Sequence, residues 1–105
     1  FLYRKNIPFS VIFFKILIRF VCNSVVNPKT EIGKNCMIGT NITIGGRNNI
    51  QNVPVIGDNV YIGASAIIIG DIKIGNNSTI GAGAVVLQDV PSDKTVVGNP
   101  ARIIE

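Results

Sequence analysis

The side chain that most often moves protons at neutral pH is missing: the 105 residues include no histidine. Histidine titrates near neutrality unperturbed and is the usual general base and transition-metal ligand, so zinc chemistry and His-based triads are poor fits. Glu31, Asp58 and Asp71 are the remaining candidate bases. A carboxylate of ordinary pKa near ~4 needs a large upward shift to serve at neutral pH, and each of the three falls in what reads as a solvent-facing turn. Cys22 and Cys36 form no C-x-x-C pair and are too few for a disulfide framework, a usage that suits a reducing cytoplasm. Cys36 reads as an inert core thiol rather than a nucleophile, because equivalent positions in the pattern described below are small or β-branched. No residue is assigned a catalytic role and no metal site is expected.

The elements that must hold any site are aliphatic. Hydrophobic residues make up 47% of the chain against 15% charged, with no Trp, which excludes a disordered tail protein. The net charge of +4 sits wholly in residues 1–25, which carry Arg4, Lys5, Lys15 and Arg19 and no acid. Residues 26–105 hold six bases and six acids. Nucleic-acid binders spread basic residues over their folded face, so a neutral body argues against that class of partner.

Residues 1–25 read as an N-terminal helical segment, with a helix within residues 8–22 and Lys15 and Arg19 four apart on one face. Those charges interrupt the roughly 20-residue apolar run that a membrane-spanning helix needs. A signal peptide would want an unbroken apolar stretch and a small-residue cleavage site. The expectation is a helix packed on its own domain or on a neighbouring subunit rather than on a membrane surface.

Residues 26–105 are a repeat. Stepping by six from Val26 lands on Ile32, Ile38, Ile44, Ile50, Ile56, Ile62, Ile68, Ile74, Ile80 and Val86, eleven Ile or Val in succession. Glycine follows in seven of the eleven hexads, and the fifth place holds residues such as Thr30, Cys36, Ile42, Val60, Ala66, Ile72, Ser78, Ala84 and Val90. A six-residue period fits neither a long helix nor a hairpin meander. It fits an all-β solenoid of short parallel strands over residues 26–91, in which the first position points inward and stacks coil upon coil. The following Gly lets the backbone turn a corner without a Cβ clash. Burying eleven such side chains contributes roughly 15–30 kcal/mol before conformational entropy is subtracted. One stretch, GGRNNIQNVPV from Gly45 to Val55, keeps the count through Ile50 but is rich in turn formers, so a loop is expected to leave the solenoid there.

The strings IGTNITIGGRNN, PVIGDNVYIGASAIIIGDIKIGNNSTIGAGAVVLQDVP and VVGNPARII resemble the left-handed β-helix of hexapeptide-repeat acyltransferases, and within them the short serine O-acetyltransferases and the related sugar O-acetyltransferases. The resemblance implies a left-handed parallel β-helix with a short N-terminal helix, acetyl-CoA as acyl donor, and a hydroxyl acceptor on serine or a sugar. It further implies a cytoplasmic homotrimer with the cofactor between adjacent solenoids, and a place in cysteine biosynthesis. Gly63 and Ala64, with Gly81, Ala82 and Gly83, present little side chain to a pantetheine arm. Gly45, Gly46 and Arg47 match the TxGG loop start beside the thiol arm. Arg102 falls where a planar guanidinium reaches a coenzyme A phosphate.

Two departures stand out. Gln88 replaces the lysine common at that point, and the Gly-rich coil that carries the family's histidine has no counterpart between IRFVCNSV and VNPKTEIG. Asn27 also stands where relatives often place His before Pro. Two outcomes are open: a shortened O-acetyltransferase of doubtful activity, or a non-catalytic trimeric solenoid that keeps coenzyme A. A γ-class carbonic anhydrase, which needs three zinc-binding histidines, is excluded.

Overall fold

The computed structural model describes residues 24–47 and 52–105. Cys22, Ile50 and the expected helix within residues 8–22 lie outside the described residues. The first coil contains β1 (Val25–Val26), β2 (Glu31–Ile32) and β3 (Met37–Ile38). The second contains β4 (Thr43–Gly45), β5 (Val55–Ile56) and β6 (Tyr61–Ile62), and the third β7 (Ile67–Ile69), β8 (Lys73–Ile74) and β9 (Thr79–Ile80). The chain ends on β10 (Val85–Val86), β11 (Thr95–Val97) and β12 (Arg102–Ile103).

Each strand pairs not with its sequence neighbour but with its counterpart one coil on, which makes a three-sided prism. Face A is β1-β4-β7-β10, face B is β2-β5-β8, and face C is β3-β6-β9-β11-β12. All pairings are parallel except β11 with β12, where the tail folds back and pairs Val96 with Ile103. That antiparallel cap, beyond the expected end of the repeat, occupies the last edge of face C. The carbonyl of Gly98 and the amide of Ala101 bond to Val85 and occupy the last edge of face A. Covered edges protect a sheet from stray pairing.

The core is the stack of first and fifth hexad positions. Ile32, Ile44, Ile56, Ile62, Ile68, Ile74 and Ile80 are buried, and Ile38 is partly so. Thr30, Cys36, Ile42, Val60, Ala66, Ile72, Ser78, Ala84 and Val90 fill the corners from inside. At the corner between faces B and C (the BC corner), Asn35, Asn59, Asn77 and Asp93 take the left-handed conformation. This conformation costs Asn and Asp little.

The glycines after the inner Ile have a different job from the one expected of them. Gly33, Gly39, Gly57, Gly63, Gly75 and Gly81 do not have positive φ; the bend falls two residues later. Their missing Cβ makes room for the next coil: at Gly63 it would lie 2.6 Å from the Ala82 amide nitrogen, and at Gly39 2.8 Å from that of Ala64.

Register exposes the loop. Val25 pairs with Thr43 and Ile67 with Val85, each 18 residues on, whereas Thr43 pairs with Ile67, 24 on. The second coil therefore holds six residues more than its neighbours, between β4 and β5. The surplus equals one hexad, so the six-step count passes through it unbroken. Val53 and the buried Pro54 bring the chain back to face B. The last coil is two residues short, since Thr79 pairs with Thr95 and Ile74 with Val90.

Candidate functional site

Three corners join the faces, and they differ in chemistry. The BC corner is tied by a side-chain ladder running along the prism. The Lys34 amide donates to Asp58 Oδ1 (2.8 Å), the Asp58 amide to Asn76 Oδ1 (2.8 Å), and the Asn76 amide to Ser92 Oγ (3.1 Å). The bare Cα atoms of Gly33, Gly57 and Gly75 leave room for Asp58 Oδ1, Asn76 Oδ1 and Ser92. Asp58 is thus a bracket between coils, with its carboxylate already accepting a backbone hydrogen bond.

Cys36 lies under this corner. Its Sγ donates to the Gly57 carbonyl (3.2 Å), and burial pushes its thiol pKa up, with the Asp58 charge adding to the shift against two backbone hydrogen bonds that lower it. A buried, protonated thiol is a poor nucleophile, which agrees with the core reading.

The corner between faces C and A (the CA corner) carries only small side chains in its later coils, down to bare backbone at Gly83. It stacks Gly39-Thr40-Asn41, Gly63-Ala64-Ser65 and Gly81-Ala82-Gly83, linked by Ser65 amide to Thr40 carbonyl and Gly83 amide to Ala64 carbonyl, both 2.8 Å. Within it the small residues have distinct roles. Gly63 and Gly81 are required by stacking, since a Cβ on Gly81 would lie 2.7 Å from Val97 Cγ1. Ala64, Ala82 and Gly83 are exposed. Gly83, at φ +71°, has nothing within 4 Å of where a Cβ would begin. Arg102, exposed on β12 and paired in register with Val97, continues the same corner toward the C-terminal end.

Gly45, Gly46 and Arg47 lie elsewhere, at the corner between faces A and B (the AB corner). The Gly45 carbonyl accepts from the Gly70 amide (3.0 Å), and a Cβ on Gly45 would meet nothing within 4 Å. The structure therefore gathers Gly63, Ala64, Gly81, Ala82, Gly83 and Arg102 on one edge of face A, and Gly45, Gly46 and Arg47 on the other. Asp71, which follows Gly70, stands on the AB corner, and Glu31 is on face B in a strand rather than a turn. Among the described residues, no group of three His, Cys, Asp or Glu side chains comes together to hold a metal.

The motif reading missed Asp89, whose Oδ1 accepts from the Lys73 amide (2.9 Å) and secures the shortened last coil. A two-residue contraction leaves no mark in a period count.

Residues 54–88 match the sequence model of the family "Bacterial transferase hexapeptide (six repeats)", and residues 29–46 that of the "Hexapeptide repeat of succinyl-transferase". No curated protein matches the chain in sequence. Among solved structures it is similar to serine acetyltransferase of Neisseria gonorrhoeae in complex with serine, with 43% identity and a TM-score of 0.74, over 78% of this chain and 34% of that one. It is similar to serine acetyltransferase of Brucella abortus, with 31% identity and a TM-score of 0.70, over 90% of this chain and 47% of that one. Maltose O-acetyltransferase of Clostridium difficile shares 39% identity, with a TM-score of 0.63, over 73% of this chain and 48% of that one. The chain spans between a third and a half of the length of these relatives. The fold is the left-handed β-helix of hexapeptide-repeat acyltransferases, and the likeness is to serine O-acetyltransferases and to a sugar O-acetyltransferase.

Proposed function

We propose that this chain, a left-handed β-helix most like the serine O-acetyltransferases, is the coenzyme A platform of an O-acetyltransferase whose acceptor is serine, or alternatively a sugar hydroxyl. The observation that carries the reading is the bare CA corner, where Ala64, Ala82 and Gly83 are exposed and the space beside Gly83 is open. Exposed peptide groups with no side chain larger than a methyl suit an extended amide-containing arm, which can lie close and exchange hydrogen bonds with them. Bound there, acetyl-CoA would supply an acetyl group activated as a thioester and leave coenzyme A as the free thiol. Arg102 extends that corner with a fork of donors suited to phosphate. Arg47 offers the same chemistry at the AB corner, beside the open Gly45. The reading includes a homotrimer in the cytoplasm and, with serine as acceptor, a place in cysteine biosynthesis.

Transfer also needs a proton acceptor at the attacking hydroxyl, a contribution of typically ~100 to 10,000-fold. The 105 residues hold no histidine, and Asp58 is engaged by the Lys34 amide. This favours a second reading, a trimeric solenoid that binds coenzyme A without catalysing transfer. Both readings are tested by thiol release from acetyl-CoA with serine or a sugar as acceptor, beside direct binding of coenzyme A. The expected result is binding with slow transfer. Turnover matching a His-containing relative would overturn the assignment of no catalytic base, and failure to bind coenzyme A would overturn both readings.

A further inference from the structure

Among the strands that pair in parallel, the outward-facing charges all fall on face B, and their order is patterned. One outward column reads Glu31, Val55 and Lys73, aligned row upon row by the register of β2, β5 and β8. The same register, continued two residues toward the AB corner, aligns a second column of Lys29, Val53 and Asp71. The four charged residues are exposed, Val55 is 40% exposed and Val53 is half-buried. The first row is therefore positive then negative, the second aliphatic, and the third negative then positive. Opposite signs alternate at the four corners of a checkerboard, with a bar of valine across its middle. Down each column the two charges lie about 9–10 Å apart, two steps of the spacing between hydrogen-bonded strands. Asp89, one row beyond Lys73, lies outside the three rows, and its Oδ1 accepts from the Lys73 amide.

We infer that face B is a docking surface for a second copy of this chain, the two checkerboards meeting face to face across a twofold axis. The charge order singles out that occupant, because a checkerboard is its own complement. Turned about an axis along the strands, it sets Glu31 against Lys73 of the second copy and Lys29 against Asp71 of the second copy. Turned about an axis along the prism, it sets Glu31 against Lys29 of the second copy and Lys73 against Asp71 of the second copy. In both arrangements the valines meet in the middle and no like charges oppose. A twofold contact uses the same patch on both copies, so it needs self-complementarity of this kind. A slip of one row sets charge against valine, which fixes the register. The patch is small, with six side chains on each copy against the ~800 Å² per partner of a standard interface, so the association is weak and steered by charge. The CA corner is the edge of the prism opposite face B, so this contact stands apart from the coenzyme A reading.

The test uses the whole chain and follows its mass against protein concentration by sedimentation equilibrium. The mass is expected to rise with concentration above that of the unit found at high dilution, whether that unit holds one chain or several. The rise should vanish in about 1 M salt, where the screening length falls to ~3 Å. Glu31→Lys is expected to weaken the association about tenfold with the β-sheet circular dichroism retained, since two symmetry-related pairs turn from attraction to repulsion. Asp71→Lys carries the same expectation and serves where Glu31→Lys fails to fold. Adding Lys73→Glu to Glu31→Lys restores the association for an axis along the strands, and adding Lys29→Glu restores it for an axis along the prism. Either rescue supports the inference and identifies the axis, whereas rescue by neither overturns it. A mass independent of concentration overturns it too, as does an equal loss from Tyr61→Lys on face C, which would mark a general effect of net charge.

Discussion

The BC and CA corners are built from the same hexad, yet one is filled and the other is bare. At the BC corner, Asp58, Asn76 and Ser92 reach back to the amides of Lys34, Asp58 and Asn76, so Gly33 and Gly57 make room for a side-chain oxygen of the next coil and Gly75 for the backbone and hydroxyl of Ser92. At the CA corner the next coil approaches Gly39 and Gly63 with its backbone and Gly81 with the Val97 side chain, and the outer surface of the later coils carries Ala64, Ser65, Ala82 and Gly83. Both corners share amide-to-carbonyl bonds between coils, such as Asn59 to Lys34 and Ser65 to Thr40, and the BC corner adds side-chain acceptors to them. The corner without those side chains leaves more backbone accessible to a ligand.

The comparison is broken most severely by filling the space beneath the bare corner. Gly63→Ala places its Cβ 2.6 Å from the Ala82 amide nitrogen, and backbone cannot swing aside, so a loss of about 3 kcal/mol in urea unfolding is expected. Gly57→Ala should cost less, about 2 kcal/mol, because the nearest atom is the Asn76 carboxamide oxygen, which can rotate away at the expense of its hydrogen bond to the Asp58 amide. A cost at Gly57 equal to or greater than that at Gly63 would erase the distinction between the corners. Gly83→Ala meets no neighbour but sits at φ +71°, so about 1 kcal/mol is expected. Its larger effect should be on coenzyme A affinity, measured by titration calorimetry.

The smallest effect concerns the thiol under the filled corner. Burial raises the pKa of Cys36, so the stability it contributes is present in full below the unfolded thiol's titration near about 9 and is lost as pH rises through the folded value. Unfolding free energy should therefore fall more steeply above that pH in the parent chain than in Cys36→Ala. Parallel curves would mean that the thiol titrates alike folded and unfolded.

Much of the architecture was legible because an aliphatic residue every sixth place has only one way to be buried repeatedly. Ile32, Ile44, Ile56, Ile62, Ile68, Ile74 and Ile80 could be assigned to the core without coordinates. The loop in the second coil was legible only through composition, from Gly46, Asn48, Asn49, Asn52 and Pro54, since its six surplus residues preserve the period. Of the candidate site, the residue types that leave backbone bare could be read, but not their grouping. Gly63 and Gly83 look alike in a string, while one faces the next coil and the other faces open space.

By itself, then, the sequence determined the repeat, the inward column and the absence of a histidine base, since composition and period are properties of neighbours along the chain. Only the tertiary structure decided which hexads share a face, because that depends on the number of residues in each closed coil, 18, 24 or a contracted 16. The coil lengths set Thr43 against Ile67, put Gly45 to Arg47 and Gly81 to Gly83 on opposite edges of one sheet, and turned Asp58 from a candidate base into a bracket between coils.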